Sequence, residues 1–181
     1  MGLSGALAAL LLAGPSHGYE LHATLEAELG SVWVTRPAQV YLTLGRMSRD
    51  GFVTSRRIHQ EIRPDRQRLT LTAEGTRMAL DWLERGPADE LVVRVAVARL
   101  VVPERLSELI ATMTDERTEA LHRLRAAHED GEAGFRGEAL DAEAYAVESQ
   151  LRWLGAIGAR LPEIVARPGA RRQDERAAEL A

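Results

Sequence analysis

The chain has 181 residues, enough for one medium domain or two small ones with a real core, and its formal net charge of -4 excludes a protein that coats nucleic acid without specificity. It has no cysteine, which excludes disulfides and thiolate metal sites and fits a reducing, cytoplasmic setting. All 23 basic residues are arginine, a bias that codon composition in a GC-rich genome explains, yet eight of them fall between Arg36 and Arg68 beside only three acids. A basic island in an acidic chain predicts an anion-facing surface.

The apolar start lacks a basic n-region, since the first basic residue is Arg36, and reads as a buried helix rather than a secretory signal. Leu3, Ala6, Leu7, Leu10 and Leu11 share one face, and Gly14-Pro15 ends the helix. Ser16 is expected to cap a second helix in which Leu21, Leu25 and Leu29 repeat every four residues until Gly30 stops it. The link SVWVTR leads to Pro37, suited to the first turn of a third helix that ends at Asp50-Gly51. Val40, Leu44 and Met47 line the inner face of that helix and leave Gln39, Thr43, Arg46 and Arg49 on the others.

Next, FVTSRRIHQEI and RQRLTLT read as a β-hairpin around the turn RPDR, carrying Arg56, Arg57, Arg63, Arg66 and Arg68. Thr72 caps a fourth helix with Met78, Trp82 and Leu83 inward, and Gly86-Pro87 closes it. Helix, helix, helix, hairpin, helix is the plan of a winged helix-turn-helix. Past Pro87 the texture changes. Glu90 to Val102 reads as an apolar helix, and Pro103 to about Asp130 as a long one with Leu106, Ile110, Met113, Leu121 and Leu124 on its stripe. EDGEAGFRGEALD reads as a loop. The last helix, Leu140 to Leu161, carries a seam of Leu140, Ala144, Val147, Leu151, Leu154, Gly158 and Leu161 at alternating fours and threes.

The predicted fold is therefore mainly α with a small β-hairpin: a winged helix-turn-helix DNA-binding domain over 1–86, an α-helical dimerisation domain over 87–168, and a polar tail over 169–181. No segment is apolar and long enough to span a bilayer.

A winged helix lays its third helix in the major groove and its wing beside the phosphates, and base edges and phosphates are both met by donors. Thr35, Arg36, Gln39, Thr43 and Arg46 are of that type along the third helix, and Arg57, Arg66 and Arg68 sit where a wing would hold phosphates. Tyr41 either offers its hydroxyl to a phosphate or packs beneath the wing. A polar face opposite an apolar one belongs to any surface helix; the basic hairpin in the wing position favours DNA.

The histidines give no metal site: His17 and His22 are five apart rather than four, with no completing ligand set. No phosphate loop, G-x-S-x-G or cysteine nucleophile is present, so neither a cofactor nor an enzyme is expected.

HGYELHATLEAELG, Trp33, QVYLTLGRMSRDGFV, a basic hairpin and then LTLTAEG and WL together resemble the PadR family of transcriptional regulators over residues 3 to 85. The resemblance implies a homodimer bound to a palindromic double-stranded operator, repressing transcription and released by a small-molecule effector. Trp82, Met113, Tyr145 and Trp153 are the large adaptable side chains from which an effector site would draw. Three departures stand out: Gly45 where the family has a helix former, Leu69 where it has tyrosine, and Glu61 and Asp65, which partly neutralise the wing. A winged helix that binds protein rather than DNA is the rival reading, and an enzyme built on the helical half the weaker one.

Overall fold

A computed structural model describes residues 2–58, 66–129 and 135–166. The helices are α1 (Gly2–Leu10), α2 (Gly18–Leu29), α3 (Pro37–Arg49), α4 (Ala73–Arg85), α5 (Leu91–Val101), α6 (Leu106–Glu129), α7 (Phe135–Ala159) and α8 (Leu161–Ala166). The strands are β1 (Ser16–His17), β2 (Val53–Ile58) and β3 (Arg66–Leu71), in the antiparallel order β1-β3-β2. The fold is mainly helical with a small sheet, a winged helix-turn-helix followed by a helical region.

Small or apolar side chains surround α1 on every side, so it is a core helix, with Gly5 through Leu10 all buried. It packs on α3, α4 and α5. Gly5 lies beneath the indole of Trp82, where a Cβ would come within 2.3 Å of the ring. The indole is 6% exposed and its Nε1 donates to Glu90 Oε2 at 2.6 Å.

The turn after α1 differs from the expectation. Ser16 does not cap α2; with His17 it forms β1, paired to Leu69 and Arg68 of β3, and His17 is the N-cap residue. The capping acceptor is Glu20, whose Oε2 takes the Ser16 hydroxyl at 2.8 Å and the His17 N–H at 3.0 Å. A carboxylate in the first turn also complements the helix dipole.

The end of α3 is tied to the start of α4. Gly51 adopts φ 81°, a left-handed conformation that glycine takes without a Cβ clash, and Phe52 N–H returns to Met47 O at 2.9 Å. Thr72 Oγ1 accepts from Gly75 N–H at 3.0 Å as the N-cap of α4 and donates to Gly51 O at 2.7 Å. Gly75 is pressed so close to the same turn that a Cβ would lie 1.9 Å from Phe52 O.

Two compact units emerge, Met1–Glu104 and Arg105–Ala181. The first extends past the boundary expected at Gly86-Pro87 because α5 packs on α1, α2 and α4. Its Leu91, Val93, Val95, Val97 and Ala98 are buried. Arg94, 1% exposed, donates to the carbonyls of Leu83, Glu84 and Gly86 and so closes the C-terminus of α4. Arg99 pairs with Glu28 of α2.

In the second unit α6 and α7 pack together, with Arg125 bonded to Glu148 at 2.8 Å. α7 begins at Phe135, so Phe135 to Asp141 is helical where a loop was expected. Of its seam, Val147 and Leu154 are buried, while Leu140, Ala144, Leu151, Gly158 and Leu161 are half-buried. Among the described residues no helix is long and apolar enough to cross a membrane, and no group of three acidic or histidine side chains could hold a metal ion.

Candidate nucleic-acid interface

Pro37 stands in the first turn of α3, where its missing N–H costs nothing, and Gln39 Oε1 accepts the Arg36 backbone N–H at 3.2 Å. Gln39 is thus half cap and half free amide: its oxygen is engaged by the chain and its NH2 group is the donor that remains. Val40, Leu44 and Met47 are buried at 0%, 4% and 2% exposure and fix the helix's rotation. That rotation leaves Arg36, Gln39, Tyr41 and Arg46 exposed and Thr43 half-buried.

Thr35 departs from the expected role. Its carbonyl accepts from His22 Nε2 at 3.0 Å, and its Oγ1 is buried with no hydrogen-bond partner among the described residues. The hydroxyl that sequence reasoning assigned to DNA is therefore not presented to solvent.

An open groove of about 540 Å³ separates α3 from the sheet. Tyr41, Gly45, Ser48 and Arg49 form its helical wall, and Ser55, Gln67 and Leu69 its strand wall. His17 and Tyr19 close one end, their rings stacked at 5.7 Å, with His17 Nδ1 donating to Gln67 O at 2.8 Å. Tyr41 is 54% exposed. Its ring packs over Gly18, where a Cβ would lie 2.8 Å from it, and the residue lines the groove. Among the described residues, no acidic side chain lines this groove.

The register of the wing adds a feature that the sequence hid. Arg56 and Arg68 are directly opposed across β2 and β3, both exposed, so two guanidinium groups share one face of the ribbon. Like charges in that position repel, and an anion over them relieves the repulsion. Spacing alone could not show this pair, since the register depends on the turn. Ser55 and Gln67, by alternation, stand on the groove face. Arg57 pairs with Gln67 and Arg66 with Ile58 in the strand backbone, while their side chains lie outside the described residues. Arg63 and the acids Glu61 and Asp65 also lie outside them.

Residues 7–80, the span that holds α3, the sheet and most of α4, match the model of the transcriptional regulator PadR-like family. Over that span the chain is similar to the PadR-like transcriptional regulators. It is similar to the negative transcriptional regulator PadR of Bacillus subtilis (strain 168), 26% identical over 133 residues that cover 70% of this chain and 73% of that protein. Among solved structures it is similar to Bacillus subtilis PadR in complex with operator DNA, at 24% identity and a TM-score of 0.44, covering 88% of this chain and 98% of that one. It is also similar to Bacillus subtilis PadR in complex with p-coumaric acid, at 23% identity and a TM-score of 0.39, covering 88% and 95%.

The four side chains proposed for an effector are placed differently from one another. Trp82 and Met113 are buried, at 6% and 1% exposure. Trp82 is accounted for by its packing on Gly5 and its bond to Glu90. Tyr145 is 68% exposed on α7, and Trp153 of the same helix is half-buried.

Proposed function

We propose that this PadR-type protein is a homodimeric repressor that places α3 of each protomer in successive major grooves of a palindromic operator. Phosphates are held by Arg36, Arg46 and the wing arginines Arg56, Arg57, Arg66 and Arg68. The observation that carries the reading is the groove between α3 and the sheet, which no acidic side chain lines among the described residues, with exposed Arg49 on its helical wall and the Arg56–Arg68 pair on the other face of the ribbon. A DNA strand leaving the major groove beside α3 passes the wing at that point. Repression is supported by the negative regulator to which the chain is similar. Gln39 NH2 and Arg46 are the hydrogen-bonding candidates for base edges.

An effector that loosens this complex belongs to the same proposal, with Tyr145 and Trp153 as the aromatic side chains of α7 that retain exposed surface for it. The soluble release of DNA by a small aromatic acid such as p-coumaric acid would test that part.

The deciding experiment is binding of the purified protein to DNA from immediately upstream of its own coding region, at several salt concentrations, beside an unrelated fragment of equal length. Tight binding to the first alone, weakening with salt, is the expected result. Equal and feeble binding to both, with salt-resistant capture of a protein partner, would favour an interaction module instead.

A further inference from the structure

Apart from Arg49 at its end, the outermost line of α3 carries no hydrogen-bonding side chain. Ala38, Leu42, Gly45 and Arg49 follow at spacings of four, three and four, opposite the buried Val40, Leu44 and Met47, and all four are exposed. Leu42 is 64% exposed, a full aliphatic side chain at the crest of the helix. Gln39 and Arg46 stand to one side of this crest, with half-buried Thr43 farther round toward the core.

Gly45 is a second, independent oddity on the same line. Its φ is not positive, and a Cβ built there would meet nothing within 4 Å. Alanine would fit and would strengthen the helix by about 1 kcal/mol. The chain's own packing therefore gives no reason for a glycine in mid-helix. Close approach of another molecule to the helix backbone does. The exposed arginines of this unit, Arg36, Arg46 and Arg49 on α3 with Arg56 and Arg68 on the wing, make that molecule a polyanion with apolar points on its surface.

We propose that α3 recognises thymine C5-methyl groups, with Leu42 and Ala38 packed against them and Gly45 allowing the helix to sit deep in the major groove. Thymine is the base that displays a methyl group there, so an apolar crest distinguishes T·A from the other pairs without a hydrogen bond. This inference rests on the DNA-binding reading above and adds which feature of the operator is read.

The test uses the full-length protein and operator duplexes in which each thymine is replaced in turn by uracil, which removes the methyl and keeps the pairing. At one or two positions in each half-site the wild type should bind about fourfold more weakly per methyl lost, the worth of one buried methyl, with an unchanged salt slope. At one of those positions, the one Leu42 reads, Leu42→Ala should bind thymine and uracil duplexes alike. Gly45→Ala should raise Tm by about 3 °C yet weaken binding to both duplexes. Indifference of the wild type to uracil at every position, or a thymine preference that survives in Leu42→Ala at every position, overturns the inference while leaving DNA binding intact. Undiminished affinity in Gly45→Ala overturns the close approach. Failure of the wild type to bind the unmodified operator overturns the DNA-binding reading, and this inference with it.

Discussion

Gln39 shows how one side chain on α3 serves two masters, and substitutions can separate them. Its Oε1 caps the helix by accepting the Arg36 N–H, while its NH2 faces outward chemistry. Gln39→Glu keeps the acceptor and improves the match to the helix dipole, so Tm should hold, while operator affinity falls because the donor is gone and a negative charge faces DNA. Gln39→Ala should lose both, with about 1 kcal/mol less stability. Thermal melts beside DNA titrations of the two variants make the comparison. Arg68 gives the converse case. Because it opposes Arg56 directly, Arg68→Gln relieves a repulsion and should leave Tm unchanged or slightly higher, yet weaken all DNA fragments alike and lower the salt slope by about one. At this scale the sequence showed the residue types and the inner face of α3, since Val40, Leu44 and Met47 are buried as their spacing requires. It could not show that Thr35 turns its hydroxyl into the protein or that Arg56 faces Arg68. The first depends on how the loop before Pro37 folds back toward His22, and the second on strand register.

Whole elements were legible where they are long and periodic, and the misreadings have identifiable causes. β1 is two residues long, too short for any alternation to show, and it exists because β3 offers it a free edge. The glycines of EDGEAGFRGEALD suggest a loop, but Gly137 is buried, so a glycine that reads as flexibility serves packing in α7. Gly86-Pro87 is a true helix stop that is not a domain boundary, because α5 is apolar on too many sides to stand apart from α1 and α4. The arginines that interrupt α5 belong to the same logic: Arg94 satisfies the last carbonyls of α4. Arg94→Met keeps the side chain's bulk but orphans those carbonyls, and should cost about 3 kcal/mol of stability in urea melts. Arg94→Lys, with donors but no planar fork, should recover only part of the loss. Thr72→Ala removes both the α4 cap and the link to Gly51, and about 1.5 kcal/mol is the expected cost.

For the whole molecule, the heptad seam of α7 raises the question of what covers its half-buried positions. Val147 and Leu154 are already buried within one chain, and Arg125–Glu148 ties α6 to α7, so part of the seam serves the intrachain hairpin. Leu140, Ala144 and Leu151 keep exposed area on the same helix, as a second copy of the chain would require. A dimer presents two α3 helices to half-sites about 34 Å apart, and the second half-site then binds at high effective concentration rather than from solution. Leu151→Glu places a charge in that seam without touching the fully buried Leu154. It should leave the helical circular dichroism unchanged, halve the mass seen by sedimentation, and weaken operator binding by about 100-fold or more while each half-site is still recognised. A variant that sediments as a monomer yet binds the full operator as tightly as the wild type would show that the two winged helices do not act together, and the palindromic operator would have to be abandoned.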